Sequence, residues 1–434
     1  MNPLRILILS PDANPESIST ALVGYAHAEA LARHHHVTLV VRQGNADAIR
    51  RAAAPFREVV GIRVRGLDEM FAWTLKRIFR NNYGSHALTA FGYPFAVAFE
   101  WCAWRRLRRQ IIGGHFDVVL RLLPVTSVLP SPFAFFLRRG PIPFVIGPVN
   151  GGLPWPQGFV QTTRQREWIT GLRNAYRFLP FARSTYRDAR AIIAGSSHTC
   201  TEFDQYRHKL FFVPENGLTH SQLGADRGIP EKAPLRLVYV GRLVPYKACD
   251  LAIRGALTML RSGRASLAIL GDGPDRPTLE ALARSEGVAD RIAFHGWLSH
   301  ADTMEHLRLA DVLVFPSLRE FGGGVVFEAL AAGVVPIVVA FGGPGDIVNP
   351  SVGYTVALTT PDGIVMGIQR ALEELDANRV LLRQLSEAGM RCAREQLTWD
   401  RKAQAVSGIL TWAAGRGPKP DLPPPSAQRA RAVA

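Results

Sequence analysis

Short apolar runs of strand length recur along the chain, each followed by a segment whose apolar residues fall at helical spacing. Leu4–Ser10 and His36–Arg42 read as strands, and Ser19–Arg33 between them places Leu22, Ala26, Ala30 and Leu31 on one helical face. Phe116–Leu122, Phe144–Ile146, Arg190–Ala194 and Leu210–Val213 continue the strands of a first half. Residues 124–139 and 162–190 are expected as helices between them, the second strongly basic and broken near Pro180, and Ser196 caps a short helix. The stretch up to about Ala233 is polar and aperiodic, as a linker would be. A second series of strands then opens: Leu235–Val240, Leu267–Leu270, Arg291–His295, Asp311–Pro316 and Val335–Val339. Cys249–Leu260, Pro277–Glu286 and Val325–Ala332 alternate with them as helices, and Ile364–Leu375, Val380–Gln396 and Trp399–Ala413 follow. Alternation of this kind predicts an α/β chain with two parallel sheets.

Glycine turns stand where strands end, which is where parallel sheets bind ligands. Gly322, Gly323 and Gly324 precede a run of helix formers, so backbone N–H groups at the positive end of a helix are bared to an anionic or polyhydroxylated ligand. Glu320 stands just before this turn and Glu328 two turns into the helix. Gly342-Gly343-Pro344-Gly345 follows the next strand. Arg242 leaves a strand end and Lys247 stands at a helix start, a pair of cations suited to a diphosphate. In the first half, Gly147-Pro148-Val149-Asn150-Gly151-Gly152 is a further turn at a strand's end.

The two glutamates separated by seven residues, the glycine turn beside them, EALAAG and GGPG together resemble the signature of the retaining nucleotide-sugar glycosyltransferases of glycosyltransferase family 4. GRLVPYK at 241–247, GDGP at 271–274, FHGW at 294–297, GPVNGG at 147–152 and ENG at 215–217 are similar to elements of the same family, in the same order. The resemblance implies a GT-B architecture: two Rossmann-like domains facing across a cleft, with the C-terminal helix crossing back to the first. It implies an acceptor-side domain at 1–217 plus 399–414, a nucleotide-sugar domain at 218–398, and beyond Gly415 a proline-rich basic tail expected to be disordered. Arg242, Lys247 and Glu320 would be catalytic. Glu328 would accept from ribose hydroxyls, since a carboxylate suits a vicinal diol. Gly241, Gly271, Asp272, Gly273, Gly296 and Trp297 would line the nucleotide pocket with Gly322–Gly324. Asn150, Gly151 and Gly152 would face sugar or acceptor. The implied reaction moves a sugar from a UDP- or GDP-sugar to a saccharide or lipid-linked acceptor with retention, by front-face attack in which the leaving diphosphate takes the acceptor's proton. No cofactor is expected. The chain lacks a D-x-D motif placed to chelate magnesium, so no metal is expected either.

Two departures stand out. The first loop reads SISTA, with Gly24 the nearest glycine, where the family has paired glycines. Arg121-Leu122-Leu123-Pro124 stands where relatives carry a histidine after the strand, and His115 lies before that strand, so Arg121 replaces the contact or acceptor handling differs. Two rivals share the sequence features: a nucleotide-sugar 2-epimerase, and a non-catalytic nucleotide-sugar or glycan binder.

Charge adds a question of location. Residues 1–230 hold 28 of the 51 Lys and Arg but 15 of the 36 Asp and Glu. No zinc-finger or RNA-binding motif accompanies this surplus, which places nucleic acid last among partners. Glu69–Arg80 and Ala96–Ile112 are basic and aromatic, as a helix on an anionic bilayer would be, or equally an ordinary helix with solvated arginines. The four cysteines are far apart, which argues against a zinc site or a disulfide framework. The first apolar run is shorter than a signal sequence requires, and no run reaches the length of a spanning helix. Together these point to a cytoplasmic protein, peripheral on the inner face of a membrane if the basic helices engage lipid.

Overall fold

The computed structural model describes residues 2–64, 92–122, 129–150, 153, 159, 178–224 and 233–423. The segment Glu69–Arg80, most of the basic stretch 162–190, Gly151 and Gly152 lie outside them. The described residues form two units. One is built from 2–64, 92–122, 129–150, 178–215 and 399–423, the other from Leu153, Phe159, 216–224 and 233–398.

The first unit is a seven-stranded parallel sheet of β1 (Arg5–Leu9), β2 (His36–Arg42), β3 (Glu58–Ile62), β4 (Val118–Arg121), β5 (Phe144–Val149), β6 (Ala191–Ala194) and β7 (Leu210–Phe212), in the order β3-β2-β1-β4-β5-β6-β7. Its strands are nearly continuous in Val, Ile and Leu because both faces are covered. Alternate residues of β1 enter different cores. Ile6 and Ile8 pack on the side of helix Thr20–Ala32, while Leu7 and Leu9 pack on the side of helix Tyr93–Ile112. The C-terminal helix Trp399–Ala413 lies in the first of these cores, beside Thr20–Ala32, with Trp399 5.8 Å from the His27 ring.

Beyond that helix, the expected disordered tail is corrected for residues 415–423. Phe212 N–H, on the edge strand β7, donates to Leu422 O at 3.0 Å, and Lys419 Nζ donates to His208 O at 2.7 Å. An edge strand presents unpaired backbone groups, and this segment takes one of them while Leu422 packs against the core. Among the described residues between β4 and β5 the helix is Pro132–Leu137, where Ser131 caps it and Pro132 fixes its first turn.

The second unit is a six-stranded parallel sheet of β8 (Leu235–Val240), β9 (Ala265–Leu270), β10 (Ile292–Gly296), β11 (Val312–Phe315), β12 (Val335–Val339) and β13 (Tyr354–Val356), in the order β10-β9-β8-β11-β12-β13. Strand order reverses between β8 and β11. Loops leaving these two neighbours diverge and open a crevice, the usual ligand position in an open α/β sheet. One core fills this unit, and Phe159 packs into it.

Candidate functional site

The loops leaving β8 and β11 carry the residues that the sequence singles out. After β8 the chain passes Gly241 and Arg242 and makes one 3₁₀ turn, Pro245–Lys247. Tyr239, fully buried on β8, braces this loop from beneath: its hydroxyl donates toward Arg242 O at 3.5 Å and Lys247 O at 3.3 Å. Lys247 thereby points its ammonium at Glu320, with which it forms an ion pair, and lies 5.4 Å from the centroid of the Phe315 ring. The two side chains are only 15% and 19% exposed, so the pair is poorly screened by solvent. Arg242 is exposed on the same loop and pairs with neither glutamate.

Glu320 is also tied to the glycine turn, its Oε1 accepting from Gly323 N–H at 3.3 Å. Gly323 has φ +57°, the left-handed region that glycine tolerates, and caps helix Gly324–Ala331. Asn216 lies against Gly324, where a Cβ would stand 3.5 Å from its amide nitrogen. The second glycine turn locks the first. Gly343 N–H donates to Glu320 O at 3.1 Å, and a Cβ on Gly343 would stand 1.9 Å from Phe321 O. Leu153 reaches the same place, 3.0 Å from a Cβ built on Gly342.

Glu328 sits further into the helix and forms a separate pair: His300 Nε2 lies 2.8 Å from its Oε1, with Gln222 Nε2 at 3.5 Å. Hydrogen bonding to this carboxylate raises the His300 pKa above its ordinary value, although burial opposes it. The structure therefore brings Lys247 to Glu320 and Glu328 to His300, in two pairs rather than one cluster. His300, Gln222 and Tyr239 are partners that the motifs leave out. His300 follows the Ser299 cap of helix His300–Leu309, and its nearness to FHGW was the one signal that could have marked it.

GDGP is fastened to the β8 loop by backbone bonds, Leu243 N–H to Asp272 O at 3.0 Å and Asp275 N–H to Leu243 O at 3.1 Å. Gly271 N–H donates to Gly296 O at 2.8 Å, so the ends of β8, β9 and β10 form one rim. Gly273 N–H donates to the Asp272 carboxylate at 2.7 Å, and Arg276 reaches Asp272 at 3.5 Å and Glu280 at 2.8 Å. Trp297, next to Gly296 on this rim, is 65% exposed, a large ring left open to a planar ligand.

In the first unit Asn150 donates its amide to the buried Glu215 carboxylate. Arg121 is not placed to meet a ligand. It is 2% exposed, pairs with Glu100 Oε1 at 2.7 Å and donates to Leu129 O at 2.7 Å. Glu100 also accepts from Ser131 Oγ at 2.5 Å. A buried carboxylate demands such partners, and Arg121 is committed to it rather than standing in for the missing histidine.

Residues 225–389 match the family described as Glycosyl transferases group 1. Among curated proteins, the chain is 29% identical over 242 residues to an uncharacterized glycosyltransferase of Methanocaldococcus jannaschii, covering 52% of this chain and 60% of that protein. It is 30% identical over 259 residues to the GDP-mannose-dependent alpha-(1-6)-phosphatidylinositol monomannoside mannosyltransferase of Mycobacterium tuberculosis, covering 54% and 65%. The chain thus spans about half to two-thirds of the length of the curated relatives it matches. Its fold is similar to that of sucrose-phosphate synthase from Thermosynechococcus elongatus, with a TM-score of 0.65 at 16% identity over 95% of this chain and 99% of the other. Two parallel sheets, a C-terminal helix set against the first, and a match that runs from the linker before β8 into helix Arg379–Gln396 lead to one assignment: residues 225–389 form a domain of the glycosyl transferases group 1 family, and the chain has the GT-B fold.

Proposed function

We propose that this chain is a retaining, metal-independent hexosyltransferase that moves a sugar from a UDP- or GDP-sugar to a saccharide or lipid-linked acceptor, in the synthesis of cell-surface polysaccharide or glycolipid. The observation that carries this reading is the Lys247–Glu320 ion pair beside the Gly322–Gly324 turn, at the point where the second sheet reverses. An arriving donor would divide the pair: Lys247, with Arg242, turns to the diphosphate, and Glu320 accepts from sugar hydroxyls. Helix Gly324–Ala331 presents its N–H groups to the same phosphates. Glu328, oriented by His300, takes the ribose diol, and the ring of Trp297 lies under the base.

As the anomeric bond breaks, charge grows on the leaving diphosphate, and two fixed cations stabilise it without reorganisation. The diphosphate oxygen then receives the proton of the acceptor hydroxyl that attacks from the same face. The mannosyltransferase relative supports a nucleotide-sugar donor by its name. Attachment to the inner face of a membrane fits helix Tyr93–Ile112, whose Trp101, Arg105, Arg106, Arg108 and Arg109 are exposed.

Release of UDP or GDP from a panel of nucleotide sugars, with and without glycan acceptors, tests the reading. Silence across the panel refutes it. Conversion of a donor without any acceptor would favour the epimerase, and binding without turnover the non-catalytic reading.

A further inference from the structure

The first unit holds a second concave site that the glycine turns do not account for. A cavity of about 580 Å³ opens at the N-terminal ends of β5, β6 and β7, walled by residues 137–138, 140–144, 187–190, 208–209 and the end of helix Trp399–Ala413. That volume lies within the range of small-molecule sites and exceeds what a bare inorganic anion fills. Four cationic side chains line it, Arg138, Arg187, Arg190 and Lys209, against a single carboxylate, Asp188.

Asp188 is already taken, since Arg187 holds it through Nε at 2.7 Å and Nη2 at 3.0 Å. Lys209 is buried and gives its Nζ to the carbonyls of Arg187 at 2.7 Å and Ala189 at 2.8 Å, which orient the ammonium without neutralising it. Arg190 lies 4.9 Å over the Trp412 ring and Arg138 3.7 Å over the Phe135 ring. A ring beside each guanidinium restrains it without neutralising its charge, and a planar fork of N–H donors suits a phosphate.

We propose that this cavity binds a phosphate-bearing ligand, either a soluble phosphate monoester or the headgroup of an anionic phospholipid. The site is separate from the one above. It lies at the start of β5 whereas Asn150 follows its end, about 20 Å further along the strand at about 3.3 Å per residue. Its occupant joins the turn at 187–190 to Trp412, and so fastens the last turn of the C-terminal helix to the sheet.

The test uses the full-length protein at constant ionic strength, titrated by calorimetry with inorganic phosphate and glycerol 3-phosphate, and pelleted with vesicles of phosphatidylcholine alone or with 30% phosphatidylglycerol. The Arg138→Gln/Arg190→Gln variant keeps side-chain bulk and is checked by circular dichroism. Binding of glycerol 3-phosphate in the wild type, weakened at least tenfold in the variant, supports a soluble ligand. Pelleting with phosphatidylglycerol alone, lost in the variant, supports the headgroup. Unchanged nucleotide release by the variant is expected with either, because these arginines stand at the opposite end of β5 from Asn150. Absence of both kinds of binding, or equal binding by wild type and variant, overturns the proposal. If the glutamine variant misfolds, Arg190→Lys alone, which retains charge but not the planar edge, must weaken binding at least threefold, and unaltered affinity overturns the proposal.

Discussion

Replacing Gly343 by alanine probes the lock between the two glycine turns. The added Cβ would stand 1.9 Å from Phe321 O, and ordinary contact begins near 3.4 Å, so the carbonyl must retreat by about 1.5 Å. Phe321 adjoins Glu320, whose backbone oxygen accepts from Gly343 N–H and whose carboxylate pairs with Lys247. A displacement of that size carries the pair out of register. Misplacing a reacting group by about 1 Å costs on the order of 100-fold in rate, and a fall in kcat of at least that size is expected for nucleotide release. Overpacking costs about 1–3 kcal/mol, and the lower entropy of an unfolded alanine chain returns about 0.4–1 kcal/mol. The net loss, at most about 2.6 kcal/mol, corresponds to a Tm lower by up to about 10 °C for a unit of this size. Gly44→Ala is the control, because nothing lies within 4 Å of its added Cβ, and it should leave kcat unchanged. A Gly343→Ala enzyme with wild-type kcat would refute the claim that this turn positions Glu320.

Lys247→Ala should lower kcat by about 10²–10³-fold, the usual consequence of removing one fixed group that stabilises developing charge, while nucleotide release assays show KM little changed. Arg121→Met should destabilise the first unit by about 3–5 kcal/mol in urea melts, because it strands the buried Glu100 carboxylate; Glu100→Leu/Arg121→Met should recover most of that loss. His27, fully buried and with neither ring nitrogen bonded to a described residue, is pushed down to about 3 by burial. The unfolded chain therefore binds the proton first as pH falls below about 6.5, and stability is lost from there toward pH 3 at about 1.4 kcal/mol per pH unit. His27→Leu should remove this loss, so melts at pH 5 should separate the variant from wild type more than melts at pH 8, and parallel curves would contradict the assignment.

The strands were legible because a doubly covered sheet needs unbroken apolar runs, and Leu4–Ser10, Leu235–Val240 and Val335–Val339 supply them. Lys247 and Glu320 were each singled out, because both stand just past strand ends, but their ion pair was not, since only the fold makes β8 and β11 neighbours. What escaped depends on distance along the chain. Nothing near Arg121 indicates that Glu100, on a helix across the core, will claim it. His300 is hidden in a polar stretch, and only the fold brings it to Glu328, 28 residues on. Helix Gln43–Arg51 begins with Gln-Gly-Asn and no side-chain cap, and strand Tyr354–Val356 is three residues long, so neither has a periodic signature. Leu422 reads as part of a proline-rich tail because its partner, an edge N–H on Phe212, is invisible until the sheet exists.

Helix Trp399–Ala413 supplies Val406, Ile409 and Leu410 to the same core as Ile6 and Ile8. Residues 399–413, which follow the second unit in the chain, are therefore needed to seal the first. On the ribosome, the unit built from 216–398 has its whole core available while the earlier one still exposes an apolar groove along Thr20–Ala32. Dissecting the chain into two independent fragments by a single cut should accordingly yield one soluble piece and one that aggregates, unless the terminal helix is grafted back onto the amino-terminal half.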